Sequence, residues 1–197
     1  MLPKVYVVIV NWNGEKDTVR CLDSLLTVNY DNMHVIISDN GSEAQSIRAL
    51  KAWAQLKMRQ VLSAGNAFSV ENDSMSIKTL CLIENNKNLG FTGANTVGIN
   101  YAMQHNADYV LFLNNDTMVT KNFLMQMIEV GESDSTYGIL GCKIYCAENE
   151  AVAKKNKIWS LGGYEYVNGN PMNIGSNQFD RLQWKGIRES EMICGCC

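Results

Sequence analysis

The chain carries no excess of positive charge and no long apolar run, and these absences exclude two classes of protein. Lysine and arginine number 17 against 20 acidic residues, for a net charge of −3, so the basic face of a nucleic-acid-binding protein is not expected. No apolar run approaches the ~20 residues that span a bilayer, and the first residues lack the pattern of a signal peptide. We therefore expect a cytoplasmic protein without a nucleic-acid partner.

The seven cysteines do not follow the spacing of a zinc site. Cys21, Cys81 and Cys142 each lie inside an apolar pattern, where a thiol acts as a small hydrophobic side chain. The three cysteines at the carboxyl terminus have no second CxxC pair with which to complete a metal site. We predict reduced thiols with structural roles.

Short apolar runs alternate with amphipathic patterns along the first two thirds of the chain. The runs predict strands over residues 4–10, 35–38, 79–84 and 109–113, and the last of these should be buried on both faces. Helices are predicted after Gly14, over about 43–56 with Ser42 as the cap, after Gly93, and over about 121–132. This βαβ order predicts an α/β fold with a mostly parallel central sheet flanked by helices. A length of 197 residues suits a single domain.

Three further segments complete the prediction. Residues 59–78 are polar and lack a clear period, so we expect a surface loop or insertion there. Residues 137–145 return to a strand pattern, and residues 147–197 resemble short strands and loops along one side of a site. The chain stops within the apolar stretch 192–197, so we expect the domain to continue beyond it.

Polar residues follow three of the predicted strands where each strand ends. These are Asn11-Trp12-Asn13, Asp39-Asn40 and Asn114-Asn115-Asp116. Because parallel strands end at one edge of a sheet, where open α/β sheets bind ligands, the three groups should converge. The turn over residues 88–93 should join them, since its glycines allow close backbone approach and the following helix offers free N–H groups to an anion.

This combination of side chains suits a nucleotide diphosphate. The Trp12 ring can stack on the base, Asp39 can accept an N–H or O–H of the base or ribose, and Asp116 can hold a divalent cation that bridges the phosphates. Simpler readings remain open. Asp116 can cap the next turn, Asp39 can form an Asx-turn, Trp12 can pack at the rim, and residues 88–93 can be no more than a tight turn.

Five motifs in order resemble one enzyme family: VVIVNWNG, SDNGS, NLGFTGANTVGI, ADYVLFLNND and IWSLGG. They are similar to the inverting family 2 glycosyltransferases of GT-A fold, and especially to bacterial rhamnosyltransferase-like members. The resemblance implies transfer of a sugar, with inversion, from a nucleotide-diphosphate sugar such as dTDP-rhamnose or a UDP-sugar to an acceptor hydroxyl. It also implies a Mg²⁺ or Mn²⁺ cofactor, a glycan or lipid-linked glycan acceptor, and cell-surface polysaccharide synthesis, with possible peripheral association at the inner face of the cell membrane.

The resemblance assigns roles to single residues. Asn115 and Asp116 occupy the family's DxD position, and Asn115 replaces the first carboxylate, which leaves Asp116 as the charged metal ligand. The other residues implied to contact the nucleotide sugar are Val10, Trp12, Asp39, Gly93 and Asn95. The family's catalytic base comes from a later acidic motif, so we expect it beyond Cys197 and identify no catalytic residue in this chain.

Three alternatives compete with this assignment. A sugar-phosphate nucleotidyltransferase needs a basic phosphate loop after the first strand, and residues 11–14 contain no lysine or arginine. A dinucleotide-binding dehydrogenase needs GxGxxG at that place, and the motif is absent. A nucleotide-sugar-binding fragment without turnover differs from the enzyme only in activity.

Overall fold

The computed structural model describes residues 1–58, 60–64, 67–71, 76–146, 156–167, 170–190 and 193. The chain divides into two compact units, residues 1–129 and 130–195, and the single domain expected from the sequence stays a prediction. Among the described residues, no helix combines the length and apolar character needed to cross a membrane.

The first unit is an α/β structure built on a six-stranded sheet. Its elements are β1 (Val5–Asn11), α1 (Glu15–Leu25), β2 (Met33–Asp39), α2 (Ala44–Lys57), β3 (Gln60–Ala64), β4 (Ala67–Glu71), β5 (Ile77–Glu84), α3 (Gly90–Gln104), β6 (Tyr109–Asn114) and the first part of α4 (Phe123–Ser133). The strand order is β3-β4-β5-β2-β1-β6. Strands β5, β2, β1 and β6 are mutually parallel, which confirms the predicted mostly parallel sheet.

The centre of the sheet is apolar on both faces because β1 and β2 are covered on both sides. Val7, Val8 and Ile9 of β1 are completely buried. Helix α3 packs closely on β1, since a Cβ added to Gly98 would lie 2.3 Å from Cγ1 of Val8. Burial on both faces explains why these strands are continuous apolar runs in the sequence.

Residues 60–64 and 67–71 differ from the loop that the sequence predicted for 59–78. They form β3 and β4, an antiparallel pair that continues the sheet through β4 and β5. Val70 pairs with Leu80 and is fully buried, so this hairpin gains both ladder hydrogen bonds and apolar contact. The remaining residues of that segment, 59, 65–66 and 72–75, lie outside the described part of the chain.

Two predicted strands also need correction. Strand β6 is the last strand of the sheet on its side, and Tyr109, Val110 and Phe112 are only half-buried, so it is not buried on both faces as predicted. The strand predicted over 137–145 is reduced to β7 (Ile144–Tyr145), and Ile139, which precedes it, is 80% exposed. Segment 147–155 lies outside the described residues.

Two histidines and two tyrosines stack at the end of the sheet opposite the polar strand ends. Tyr6 stacks on His34 with 4.8 Å between ring centroids, and Tyr101 stacks on His105 with 4.0 Å. His34 Nδ1 is 2.8 Å from Thr79 Oγ1. Burial, together with the positive charges of Lys4, His105 and Lys78, lowers the pKa of His34 from 6.5 to about 4.

This shift predicts a loss of stability in mild acid. The folded protein holds His34 neutral down to about pH 4, whereas the unfolded chain takes up the proton near pH 6.5. Stability from His34 is therefore full above pH 6.5 and is lost as the pH falls toward 4. Urea denaturation from pH 7 to pH 4 should give a steeper decline for wild type than for His34→Gln. Parallel profiles for the two proteins would contradict this prediction.

The second unit contains β7, β8 (Ile158–Ser160), β9 (Tyr164–Val167), β10 (Asn170–Asn173) and a short 3-10 helix (Leu182–Trp184). Strands β7 and β8 pair antiparallel, as do β9 and β10.

Asp180 is the centre of a polar cluster in this unit. It accepts hydrogen bonds from Lys143 Nζ at 2.8 Å and from the Tyr145 hydroxyl at 2.5 Å. These two bonds lower the pKa of Asp180, whereas burial and the Asp180 carboxylate raise the pKa of Tyr145 to about 12. A general base works best with a pKa near the operating pH, so these contacts give Asp180 the properties of a structural ion pair.

Candidate functional site

The register of the parallel strands brings the predicted polar residues to one edge. Asn11 is opposite Asp39 in the β1–β2 pair, and Val10 is opposite Asn114 in the β1–β6 pair. The ends of three strands therefore lie side by side, with β1 in the middle. The predicted convergence at the carboxyl edge of the sheet is confirmed.

Asp39 is buried at this edge, with 1% of its surface exposed. Its Oδ2 accepts a hydrogen bond from Asn11 Nδ2 at 2.8 Å, and its Oδ1 accepts one from the Ser42 backbone N–H at 2.9 Å. Asp39 therefore stabilises the turn after β2, which is the alternative role that the sequence left open. Each carboxylate oxygen keeps a second lone pair, and contact of Asp39 with a nucleobase stays a prediction.

Ser42 does not cap α2 as predicted. The helix begins at Ala44, and its N-cap residue Glu43 makes no side-chain capping bond. Instead, Ser42 Oγ accepts hydrogen bonds from the Asn13 backbone N–H at 2.9 Å and from Asn11 Nδ2 at 3.1 Å. Ser42 thus connects the turn after β1 to the turn after β2.

The turn after β2 is fastened to the glycine-rich turn before α3. Asn40 Nδ2 donates to Asn88 Oδ1 at 3.0 Å, and Asn40 Oδ1 accepts from the Leu89 backbone N–H at 2.7 Å. Gly41 has a φ of +81°, and a Cβ there would lie 2.7 Å from the Lys87 carbonyl carbon. Only glycine fits both the conformation and the space.

Gly93 and Asn95 both lie in the first turns of α3. Asn95 is 8% exposed, and its Nδ2 donates to the backbone carbonyl of Phe91 at 3.0 Å. A Cβ at Gly93 would lie 2.8 Å from the Cβ of Leu89. These internal contacts shape the start of the helix, and ligand contact by the two residues stays a prediction.

Trp12 directly follows β1 and is more accessible than Val10 within that strand. Its side chain is 60% exposed, while Val10 is half-buried within the strand. The next residue, Asn13, has a φ of +52°, and its Oδ1 accepts the Glu43 backbone N–H at 2.8 Å. Hydrogen bonds of Asn13 therefore fix the turn after β1, and the exposed indole face of Trp12 at the start of that turn can serve for stacking.

Asn115 and Asp116 follow β6 and differ in environment. Asn115 Nδ2 donates to Thr18 Oγ1 at 3.1 Å and to the Gly14 carbonyl at 3.4 Å, whereas the Asp116 side chain is exposed. Burial, and to a smaller extent the negative charge of Asp116, raises the pKa of the Cys21 thiol to about 12. Cys21 therefore stays protonated, as predicted for a structural thiol.

The donor set beside Asp116 fits a hard divalent cation. The described residues include no group of three or more His, Cys, Asp or Glu side chains suited to a metal, so a protein-only cage is not formed there. Mg²⁺ and Mn²⁺ take oxygen ligands, and Mg²⁺ is commonly held by one or two carboxylates together with substrate phosphates and water. One exposed carboxylate, with an amide oxygen beside it, matches that arrangement.

Thr18 is the site residue that the sequence reasoning missed. The apolar spacing after Gly14 predicts a buried face of Val19, Leu22, Leu25 and Leu26, whereas the buried residues of α1 are Thr18, Cys21, Leu22 and Leu25. The completely buried Thr18 donates its hydroxyl proton to Asn11 Oδ1 at 2.8 Å. A polar residue at helical spacing from Cys21, Leu22 and Leu25 was the available signal.

The chain belongs to glycosyl transferase family 2, since the model of that family matches residues 6–196. A search of curated proteins found no significant match. The mannosyltransferase PcManGT from Pyrobaculum calidifontis, solved in complex with GDP-Man and Mn²⁺, is 16% identical, with a TM-score of 0.51, and the match covers 76% of this chain and 36% of that one. TarS 1-349 from S. aureus is 18% identical, with a TM-score of 0.55 and coverage of 76% and 38%.

At these identities the likeness establishes the fold, and the predicted GT-A architecture is confirmed. The chain spans little more than a third of the length of these two solved proteins.

Proposed function

We propose that the first unit binds a nucleotide-diphosphate sugar at the carboxyl edge of its sheet and serves metal-dependent transfer of that sugar, with inversion, to an acceptor hydroxyl. One observation carries the proposal. Asn11, Asp39 and Asn115, which are far apart in sequence, are joined through Thr18 by a continuous set of side-chain hydrogen bonds, and Asp116 extends from its end. Membership of glycosyl transferase family 2 supports the same function.

The proposed pose divides the donor along the edge. The base stacks on the exposed Trp12 and reaches toward Asp39, with the backbone of Val10 beside it. The diphosphate lies between the turn before α3, near Gly93 and Asn95, and the exposed carboxylate of Asp116. A bound Mg²⁺ or Mn²⁺ would offset the negative charge that develops on the departing nucleotide diphosphate.

The residues of this chain bind and orient the donor. Hydrogen bonds hold the buried Asp39 and the half-buried Asn115, so little reorganisation is needed when the donor enters, and preorganised groups of this kind lower the cost of binding. No residue of this chain is proposed as the base that deprotonates the acceptor.

We propose a dTDP- or UDP-sugar as the donor and a glycan or lipid-linked glycan of cell-surface polysaccharide synthesis as the acceptor. The donor class is tested by thermal unfolding with UDP, dTDP and GDP, each with MnCl₂ or with EDTA. A ligand at 100 times its Kd stabilises by about 2.7 kcal/mol. For a chain of this size, that corresponds to a rise in Tm of roughly 5–10 °C.

We expect UDP or dTDP to give this rise only with manganese. A larger rise with GDP would overturn the donor class, and no rise with any nucleotide would overturn the function. Binding without turnover remains the second candidate, because the chain covers about a third of the solved proteins that it matches. Sugar transfer or donor hydrolysis by the full-length protein would exclude it.

A further inference from the structure

Three side-chain hydrogen bonds at the sheet edge form a series that runs in one direction, toward the carboxylate of Asp39. Asn115 Nδ2 donates to Thr18 Oγ1 at 3.1 Å, and the Thr18 hydroxyl donates to Asn11 Oδ1 at 2.8 Å. Asn11 Nδ2 then donates to Asp39 Oδ2 at 2.8 Å. Bonds aligned in this way polarise and strengthen one another in a buried site.

The Thr18 hydroxyl joins the two halves of this series, Asn115 on one side and Asn11 on the other. Asn11 and Thr18 are completely buried, so water does not replace a missing bond there. Thr18 has one hydroxyl proton to donate. Its Oγ1 lies 2.8 Å from Asn11 Oδ1 and 3.0 Å from the Gly14 carbonyl oxygen, so the shorter bond goes to Asn11. The lone pairs of its oxygen remain to accept the amide of Asn115.

We propose that Thr18 is a positioning residue for donor binding, which couples the nucleobase side of the site, Asn11 and Asp39, to the metal side, Asn115 and Asp116. The inference rests on the proposed function. Thr18 acts by fixing the amide of Asn115. A flipped Asn115 amide would turn its oxygen toward the Gly14 carbonyl, which repels it, and toward Thr18 Oγ1, whose proton it would draw away from Asn11 Oδ1. The oxygen is therefore directed away from them, where it can take a cation or a ribose hydroxyl.

The same geometry gives a physical reason for an amide at position 115 where the family motif has a carboxylate. An aspartate there would place an oxygen against the Gly14 carbonyl, now 3.4 Å from Asn115 Nδ2. It would also draw the Thr18 proton away from Asn11 Oδ1 and leave that buried acceptor unpaired, which is costly. A second carboxylate at the motif would thus break the link to Asp39.

Calorimetry of nucleotide binding tests the role of Thr18. The quantity to compare is the Kd of UDP or dTDP in EDTA divided by its Kd in MnCl₂, since this ratio isolates the metal-dependent part of binding. In Thr18→Val, which keeps the shape and removes the hydroxyl, we expect the ratio to fall about tenfold. Thr18→Ser should restore it to within about twofold of wild type.

Thr27→Val is the matched control, because Thr27 lies just beyond α1, is exposed, and donates its hydroxyl proton to the Ser24 carbonyl, away from the site. A Thr18 variant of lower stability but unchanged ratio would show a purely structural role and overturn the inference while leaving the proposed function intact. Absence of manganese-dependent binding in wild type would overturn both.

Asn115→Asp provides a second test that does not depend on the folding of the Thr18→Val variant. If only the number of metal ligands mattered, the ratio of the Kd in EDTA to the Kd in MnCl₂ would rise, because the variant adds a carboxylate beside Asp116. The geometry at Thr18 and Gly14 predicts the opposite, a ratio about threefold or more below that of wild type. A ratio above that of wild type would overturn the coupling through Thr18.

Discussion

Asp116→Ala is expected to remove the manganese-dependent part of UDP or dTDP binding altogether. Asp116 is the exposed carboxylate of the metal side, and its neighbour Asn115 supplies only a neutral oxygen. Without the Asp116 charge, a cation between protein and diphosphate loses the one anionic ligand that the motif supplies. Calorimetry with MnCl₂ and with EDTA should give the same weak affinity for the variant.

Asp31→Ala serves as the control for this result. Asp31 is also exposed, but it lies just before β2, at the opposite end of the strands from the site. The control should keep the wild-type difference between MnCl₂ and EDTA. If Asp116→Ala kept that difference as well, the assignment of the metal ligand would be wrong.

Gly41→Ala is expected to lower the free energy of unfolding by about 3 kcal/mol. Two costs add. A left-handed conformation costs a non-glycine residue roughly 1–2 kcal/mol, and overpacking costs about 1–3 kcal/mol. The new Cβ would lie 2.7 Å from the Lys87 carbonyl carbon and 2.9 Å from the Asn88 nitrogen, which are backbone atoms and cannot move aside cheaply. Urea denaturation of the variant and wild type measures the difference.

Gly90→Ala separates these two costs. Gly90 also has a positive φ, +71°, but a Cβ there would meet nothing within 4 Å. It should therefore lose only the conformational part, about 1–2 kcal/mol. Equal losses for the two variants would mean that the contact between the turn after β2 and the turn before α3 has no energetic weight.

The order of elements in the first unit was readable from the sequence because each core strand is a short apolar run bounded by polar turns. Strands β1, β2, β5 and β6 begin and end within two residues of prediction. The hairpin of β3 and β4 was missed because it joins the sheet through the pairing of β4 with β5, a contact that the local sequence pattern does not record. The edge position of β6 was missed for a related reason, since an apolar run does not specify which strands flank it.

The candidate site was predictable at the level of strand ends and not at the level of hydrogen bonds. Because the carboxyl ends of parallel strands meet, Asn11, Asp39 and Asn115 could be grouped from the sequence alone. The role of Thr18 depends on which face of α1 is buried, and the apolar pattern of that helix was placed one residue out of phase. A single buried polar side chain is weak evidence for a functional site until its hydrogen-bond partners are known.

Strand β1 pairs with β2, which follows it closely in sequence, and with β6, which comes much later. This difference sets the order in which the site can be assembled. Asn11 and Asp39 are 28 residues apart, whereas Thr18 and Asn115 are 97 apart. Closing the longer loop costs about 1 kcal/mol more chain entropy. During synthesis, the partners on the nucleobase side have all emerged well before Asn115 is added. The metal side is thus the last part of the site that a growing chain can complete.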